Sequence, residues 1–91
     1  MSVQLITYDL RRPGQDYAGL HGAIRSLGAW WHCVESVWVV KTALGSSQVL
    51  DRLRSHIDAN DSLVVTALGG DWATLGLTGE CANWFRTNIA A

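Results

Sequence analysis

Asp9 is the residue whose type and position suit chemistry best. It ends an alternating run in which Val3, Leu5 and Thr7 interleave with Gln4, Ile6 and Tyr8, and it precedes the break Leu10-Arg11-Arg12-Pro13-Gly14. A carboxylate at a strand end, in front of a helix, is a common seat for a hard cation such as Mg²⁺, which takes oxygen ligands. The plainer role is to cap the loop or to pair with Arg11 or Arg12. Those adjacent arginines suit phosphate, because guanidinium forks match phosphate oxygens; they also suit an ordinary solvated loop.

The other reactive types are scattered. His21, His32 and His56 match no zinc spacing, and no C-x-x-C is present. His32 and Cys33 are neighbours in a β-prone stretch, so their side chains point to opposite faces of a strand. A surface or core role suits each histidine, with His32 or His56 as the general-base candidates. No G-x-S-x-G, P-loop or G-x-G-x-x-G pattern occurs, which removes the signatures of serine hydrolases, P-loop nucleotide hydrolases and dinucleotide-dependent oxidoreductases. Trp30, Trp31 and Trp38 are of the type that stacks bases on an exposed sheet, or that fills a core or an interface.

The elements that must position these groups follow from hydrophobic period. Residues 2–8 read as a strand. Over residues 15–27, Tyr17, Leu20, Ile24 and Leu27 fall on one helical face, ended by Gly28. Residues 30–34 and 37–42 are too rich in tryptophan and valine for a helix and read as two strands joined at Glu35-Ser36. Ser46 or Ser47 caps a second helix with the stripe Val49, Leu50, Leu53 and Ile57. Residues 62–68 form a fourth strand before Gly69-Gly70, and Thr78 caps a final helix in which Cys81, Trp84, Phe85 and Asn88 share a face.

The order β-α-β-β-α-β predicts a ferredoxin-like α/β (α+β) two-layer sandwich: a four-stranded antiparallel sheet, two helices on one face, and an added C-terminal helix. A single domain is expected over residues 1–91, with its core in 1–68 and the last helix at about 78–89. The strands are apolar on both faces, as in Val37-Trp38-Val39-Val40, so the second sheet face needs a cover. Either the C-terminal helix folds back or a second copy packs there, and a homodimer through the sheet face is the default expectation.

Composition sets the bounds. The 91 residues carry 7 basic and 8 acidic side chains for a net charge of −1, and 48% of them are hydrophobic, with five tryptophans. General duplex-DNA binding calls for a basic excess that this chain lacks. No secretory signal and no apolar run of membrane-spanning length appears, which points to a soluble cytoplasmic protein without a membrane partner. In that compartment Cys33 and Cys81 are expected as reduced core thiols.

Three segments in order, Ile6-Thr7-Tyr8-Asp9-Leu10, Val34-Glu35-Ser36-Val37-Trp38 and Asp61-Ser62-Leu63-Val64-Val65, give the chain a resemblance to a known group. It resembles the small CRISPR-associated adaptation proteins and the virulence-associated protein D toxins, and most of all the short bacterial proteins called SinR-like. The likeness runs over roughly residues 1–68, with Ser-Val-Trp where the family usually has Ser-Val-Phe. The resemblance implies a sheet-to-sheet dimer with the strand-end aspartates facing a shared cleft. It further implies a divalent metal on Asp9 for cutting RNA or DNA, with Tyr8 and Ser36 as neighbours and Arg11 and Arg12 on phosphate. The function expected on this basis is a metal-dependent endonuclease acting on RNA or single strands. The alternative is a non-catalytic homodimeric assembly module that docks another protein. The chain departs from the family in its slightly acidic charge and in a C-terminal helix where the adaptation proteins usually add a strand.

Overall fold

A computed structural model of the chain describes residues 1–10 and 17–89. The strands are β1 (Ser2–Asp9), β2 (Ala29–Val34), β3 (Val37–Thr42) and β4 (Ser62–Ala67), and the helices are α1 (Ala18–Arg25), α2 (Ser46–Leu53) and α3 (Gly79–Asn88). A single 3-10 turn, Arg54–His56, extends α2. The strands form one sheet in the order β2-β3-β1-β4, every neighbouring pair antiparallel. The architecture is mixed α+β.

Paired residues in a register share a sheet face, so the pairing sorts the side chains. Ile6 lies opposite Trp38 and Val65, and Gln4 opposite Val40 and Ala67. This face meets α1 and α2, and Ile6, Leu20, Ile24, Trp38, Val40, Val49 and Leu53 form its buried core. Both helices show the expected stripe: Leu20 and Ile24 of α1 and Val49 and Leu53 of α2 are fully buried, whereas Leu50 stays exposed at the rim. Gln4 is also buried on this side, its amide donating to Ser2 Oγ and its carbonyl oxygen accepting from Ser46 Oγ at 2.6 Å. Ser46 is thereby diverted from capping α2. The cap is Gly45, whose N–H donates to Gln48 Oε1 at 2.9 Å. Gly28 admits no side chain, since a Cβ there would collide with the Lys41 carbonyl oxygen.

The opposite face carries Val3, Leu5 and Thr7 of β1 with Trp31, Val37 and Val39. The cover is α3. Phe85 and Ile89 bury Val3, Trp31 and Val39, and Trp72, Leu77, Cys81 and Trp84 pack around them. Trp31 Nε1 donates to the Cys81 carbonyl oxygen at 2.9 Å. The cysteines correct the expectation of free thiols: Cys33 of β2 and Cys81 of α3 are joined in a disulfide. On the β4 side of the same face the cover stops, and Val64 is 55% exposed. Among the described residues no helix is long and apolar enough to cross a membrane.

Candidate functional site

The end of the sheet where β1 stops holds Asp9 and, through a backbone contact, the Ser36 turn. Asp9, opposite Ser62 of β4, is exposed there. In the strand alternation it falls on the outer face, in line with Thr7 and its partner Val64. Ser36 occupies the β2–β3 turn at the same end with φ at +60°, and its carbonyl oxygen accepts from the Tyr8 N–H at 3.4 Å. The turn is thus tied to the strand end through the backbone, with Ser36 in a left-handed conformation that costs a non-glycine residue about 1 kcal/mol.

Tyr8 does not join Asp9. Its side chain points to the helix face, where its hydroxyl accepts from Trp38 Nε1 at 3.1 Å and meets His21 Nε2 at 3.2 Å. Arg11 and Arg12 lie outside the described residues. Asp61, which neighbours Ser62, accepts from Tyr17 Oη at 3.0 Å and from the Asp58 N–H at 2.9 Å. That carboxylate therefore ties the loop before β4 to the start of α1. Among the described residues no three His, Cys, Asp or Glu side chains gather at metal-ligating distance.

On the helix face an aromatic and imidazole cluster forms that sequence spacing did not signal. His32 of edge strand β2 lies flat on Trp38, ring centres 3.9 Å apart and planes 3° from parallel. Its Nδ1 is 2.8 Å from the Val37 carbonyl oxygen. His21 of α1 stands 5.6 Å from Trp38 and 6.4 Å from His32, centre to centre. Arg25, one helical turn on, places its guanidinium 6.0 Å from the Trp38 ring centre. Trp30 packs 5.4 Å from Trp38 and is 45% exposed. Of the three tryptophans considered for stacking, Trp31 and Trp38 are therefore core residues and Trp30 alone is open. His56 sits apart, beyond Gly19 of α1.

His32 and Cys33 point to opposite faces, as strand alternation requires: one stacks on Trp38 and the other bonds to α3. No protein-family model matches the chain.

Proposed function

We propose that the chain is one protomer of a ferredoxin-like homodimer that cuts single-stranded nucleic acid, RNA above all, with a divalent metal held by Asp9. One observation carries this reading. Asp9 is exposed at the end of β1, on the same face as the strip around Val64 that α3 leaves open. A second copy packed on that strip about a twofold axis would cover Val64 and bring the two Asp9 carboxylates to one cleft. The ferredoxin-like reading is supported by the β1-α1-β2-β3-α2-β4 order and by the central position of β1 and β3 in the sheet.

Among the described residues one chain supplies Asp9 as a single carboxylate at this strand end, and a second would come from the other copy. A bound Mg²⁺ supplies water activation and charge neutralisation at the scissile phosphate. Asp9 would hold the ion, Arg11 and Arg12 would anchor the strand through phosphate, and the Ser36 turn keeps the end of β1 in place through Tyr8. A cytoplasmic setting belongs to the same reading. There a Cys33–Cys81 bridge would meet reducing conditions.

The test is cleavage of end-labelled single-stranded RNA with Mg²⁺ or Mn²⁺, comparing wild type with Asp9→Ala and following mass by light scattering. Metal-dependent cutting by a dimer, lost in the variant, is the expected result. Equal cutting by both proteins would remove Asp9 from the mechanism, and a monomer at micromolar concentration would remove the shared cleft.

A second reading, a non-catalytic assembly module, is favoured by exposed apolar side chains. Val34, Val64 and Leu75 are 44%, 55% and 99% exposed. A defined protein partner bound through these positions, with no cleavage under any condition, would establish it over the first.

A further inference from the structure

We propose that Cys33 and Cys81 are a redox-active pair that exchanges with small, uncharged aliphatic thiols. Cys33 is the sulfur attacked, and Cys81 is the sulfur that leaves and later re-forms the bridge. The inference needs neither Asp9, its metal nor a nucleic-acid substrate.

Place in the fold singles out Cys33. It is exposed, and it lies on β2, an edge strand of the sheet. The register of β2 on β3 shifts between Trp31 and Val34, the interval that holds Cys33. Irregularities of this kind re-aim a side chain and interrupt the regular ladder. Beside the bridge an open cavity of about 230 Å³ is lined by both cysteines and by Trp30, Trp31, Trp84 and Glu80. A thiol in solution can therefore reach the sulfur, and exposed disulfides are the labile, regulatory or catalytic ones. Three indole rings suit an aliphatic reagent, and the Glu80 carboxylate disfavours an anionic one.

Cys81 differs in the two respects that decide the direction of exchange. It is half-buried and packed into the outer-face cluster. It is also the third residue of α3, whose cap Thr78 makes no side-chain hydrogen bond to the first turn. Side chains of a helix tilt toward its N-terminus, and the partial positive charge there favours a thiolate. Attack falls on the accessible sulfur and expels the one that better carries negative charge. Access and charge thus assign the same roles.

Opening the bond does not by itself free α3. Phe85 and Ile89 stay buried with Val3, Trp31 and Val39, and Trp31 Nε1 donates to the Cys81 carbonyl oxygen at 2.9 Å. Cys81 is therefore kept beside Cys33.

In the step itself a thiolate attacks Cys33 Sγ, the bond between the two cysteines breaks, and its electron pair leaves on Cys81 Sγ. Cys33 then carries a mixed disulfide. Attack of Cys81 on Cys33 Sγ expels the small thiolate and restores the bridge. Attack of a second small thiolate on the reagent's sulfur instead releases Cys33 as a thiolate. In that case two small thiols are oxidised to one disulfide and the bridge is reduced by two electrons.

The experiment adds 2-mercaptoethanol to the full oxidised chain without denaturant and quenches with acid at a series of times. Circular dichroism follows the fold, and mass spectrometry maps each cysteine. The bridge should open while the chain stays folded, with the reagent on Cys33 at least about 10-fold more often than on Cys81. In Cys81→Ser, treated with the disulfide of the same reagent, the adduct on Cys33 should persist, because no second thiol is there to expel it. Should that variant not fold, the partition in wild type still decides. A bridge that opens only in urea concentrations that unfold the chain, or adducts shared equally between the two sulfurs, overturns the proposal. Either result leaves the Asp9 reading as it stands.

Discussion

The two faces of the sheet are equally apolar in sequence but are closed in different ways. On the helix face, α1 and α2 enclose Ile6, Trp38 and Val40, and the polar atoms of Gln4, Tyr8 and Trp38 find partners within that layer. On the outer face a ten-residue helix and one covalent bond protect Trp31 and Val39, while Val64 stays open. The first layer is held by burial over a wide area. The second is smaller and leans on a crosslink. An apolar run in a strand therefore tells that a face is covered, and says nothing of whether packing or chemistry holds the cover.

Single substitutions can break this contrast. The largest loss is expected for Trp38→Ala, which empties the centre of the helix-side core and removes the surface that orients His32. About 4–5 kcal/mol should go, enough to unfold much of the protein, and urea titration followed by circular dichroism measures it. Phe85→Ala, on α3, should lower stability by about 3 kcal/mol in the same titration, because Phe85 belongs to the smaller cluster and keeps 9% of its surface exposed. A larger loss there than for Trp38→Ala would reverse the ranking of the two layers.

Removing the crosslink with Cys33→Ser and Cys81→Ser together should cost about 2–4 kcal/mol, the range for a bridge closing a long loop, here with a separation of 48 residues. The effect should vanish when wild type and variant are compared under a reductant. If oxidised and reduced wild-type protein unfold at the same urea concentration, the outer cover does not depend on the bond.

Val64→Lys sharpens the comparison from the other side. At a half-exposed position it should change monomer stability by less than about 0.5 kcal/mol. It should also prevent any association through the open strip, which sedimentation at several concentrations detects. Ser36→Gly acts on one turn alone: relief of the positive φ should raise stability by about 0.5 kcal/mol, with no effect on association.

Much of this layout was legible in the residues. Period-2 alternation located β1, tryptophan and valine content located β2 and β3, and the 3.6 period of Leu20, Ile24, Val49 and Leu53 located the buried stripes. The doubly apolar strands called for a second cover, and Cys81, Trp84 and Phe85 on one helical face supplied it. The bridge was within reach of the same facts. Cys33 must point away from His32, and Cys81 sits on the face that α3 turns to the sheet. The expectation of free thiols came instead from compartment, which ranks below geometry once two elements are known to pack. His21 and His32 were harder to pair. Their spacing in the chain matches no motif, and only the packing of α1 across β2 and β3 brings both to Trp38. Asp9 was marked from its place at a strand end, whereas Tyr8, its neighbour, was assigned to the same site. Alternation sends the two to opposite faces.

The bridge also divides the chain topologically. From Cys33 to Cys81 the polypeptide is a closed ring that holds β3 and β4. Strand β1 lies between those two and belongs to the open N-terminal arm. A ring thus flanks its own central strand on both sides without enclosing it covalently. Exchange of β1 between two copies leaves every disulfide intact, whereas β3 or β4 can trade places only as part of the ring. In an oxidised solution held at high concentration, β1 is accordingly the strand by which two molecules would interlock, and with it Asp9 would pass from one molecule to the other.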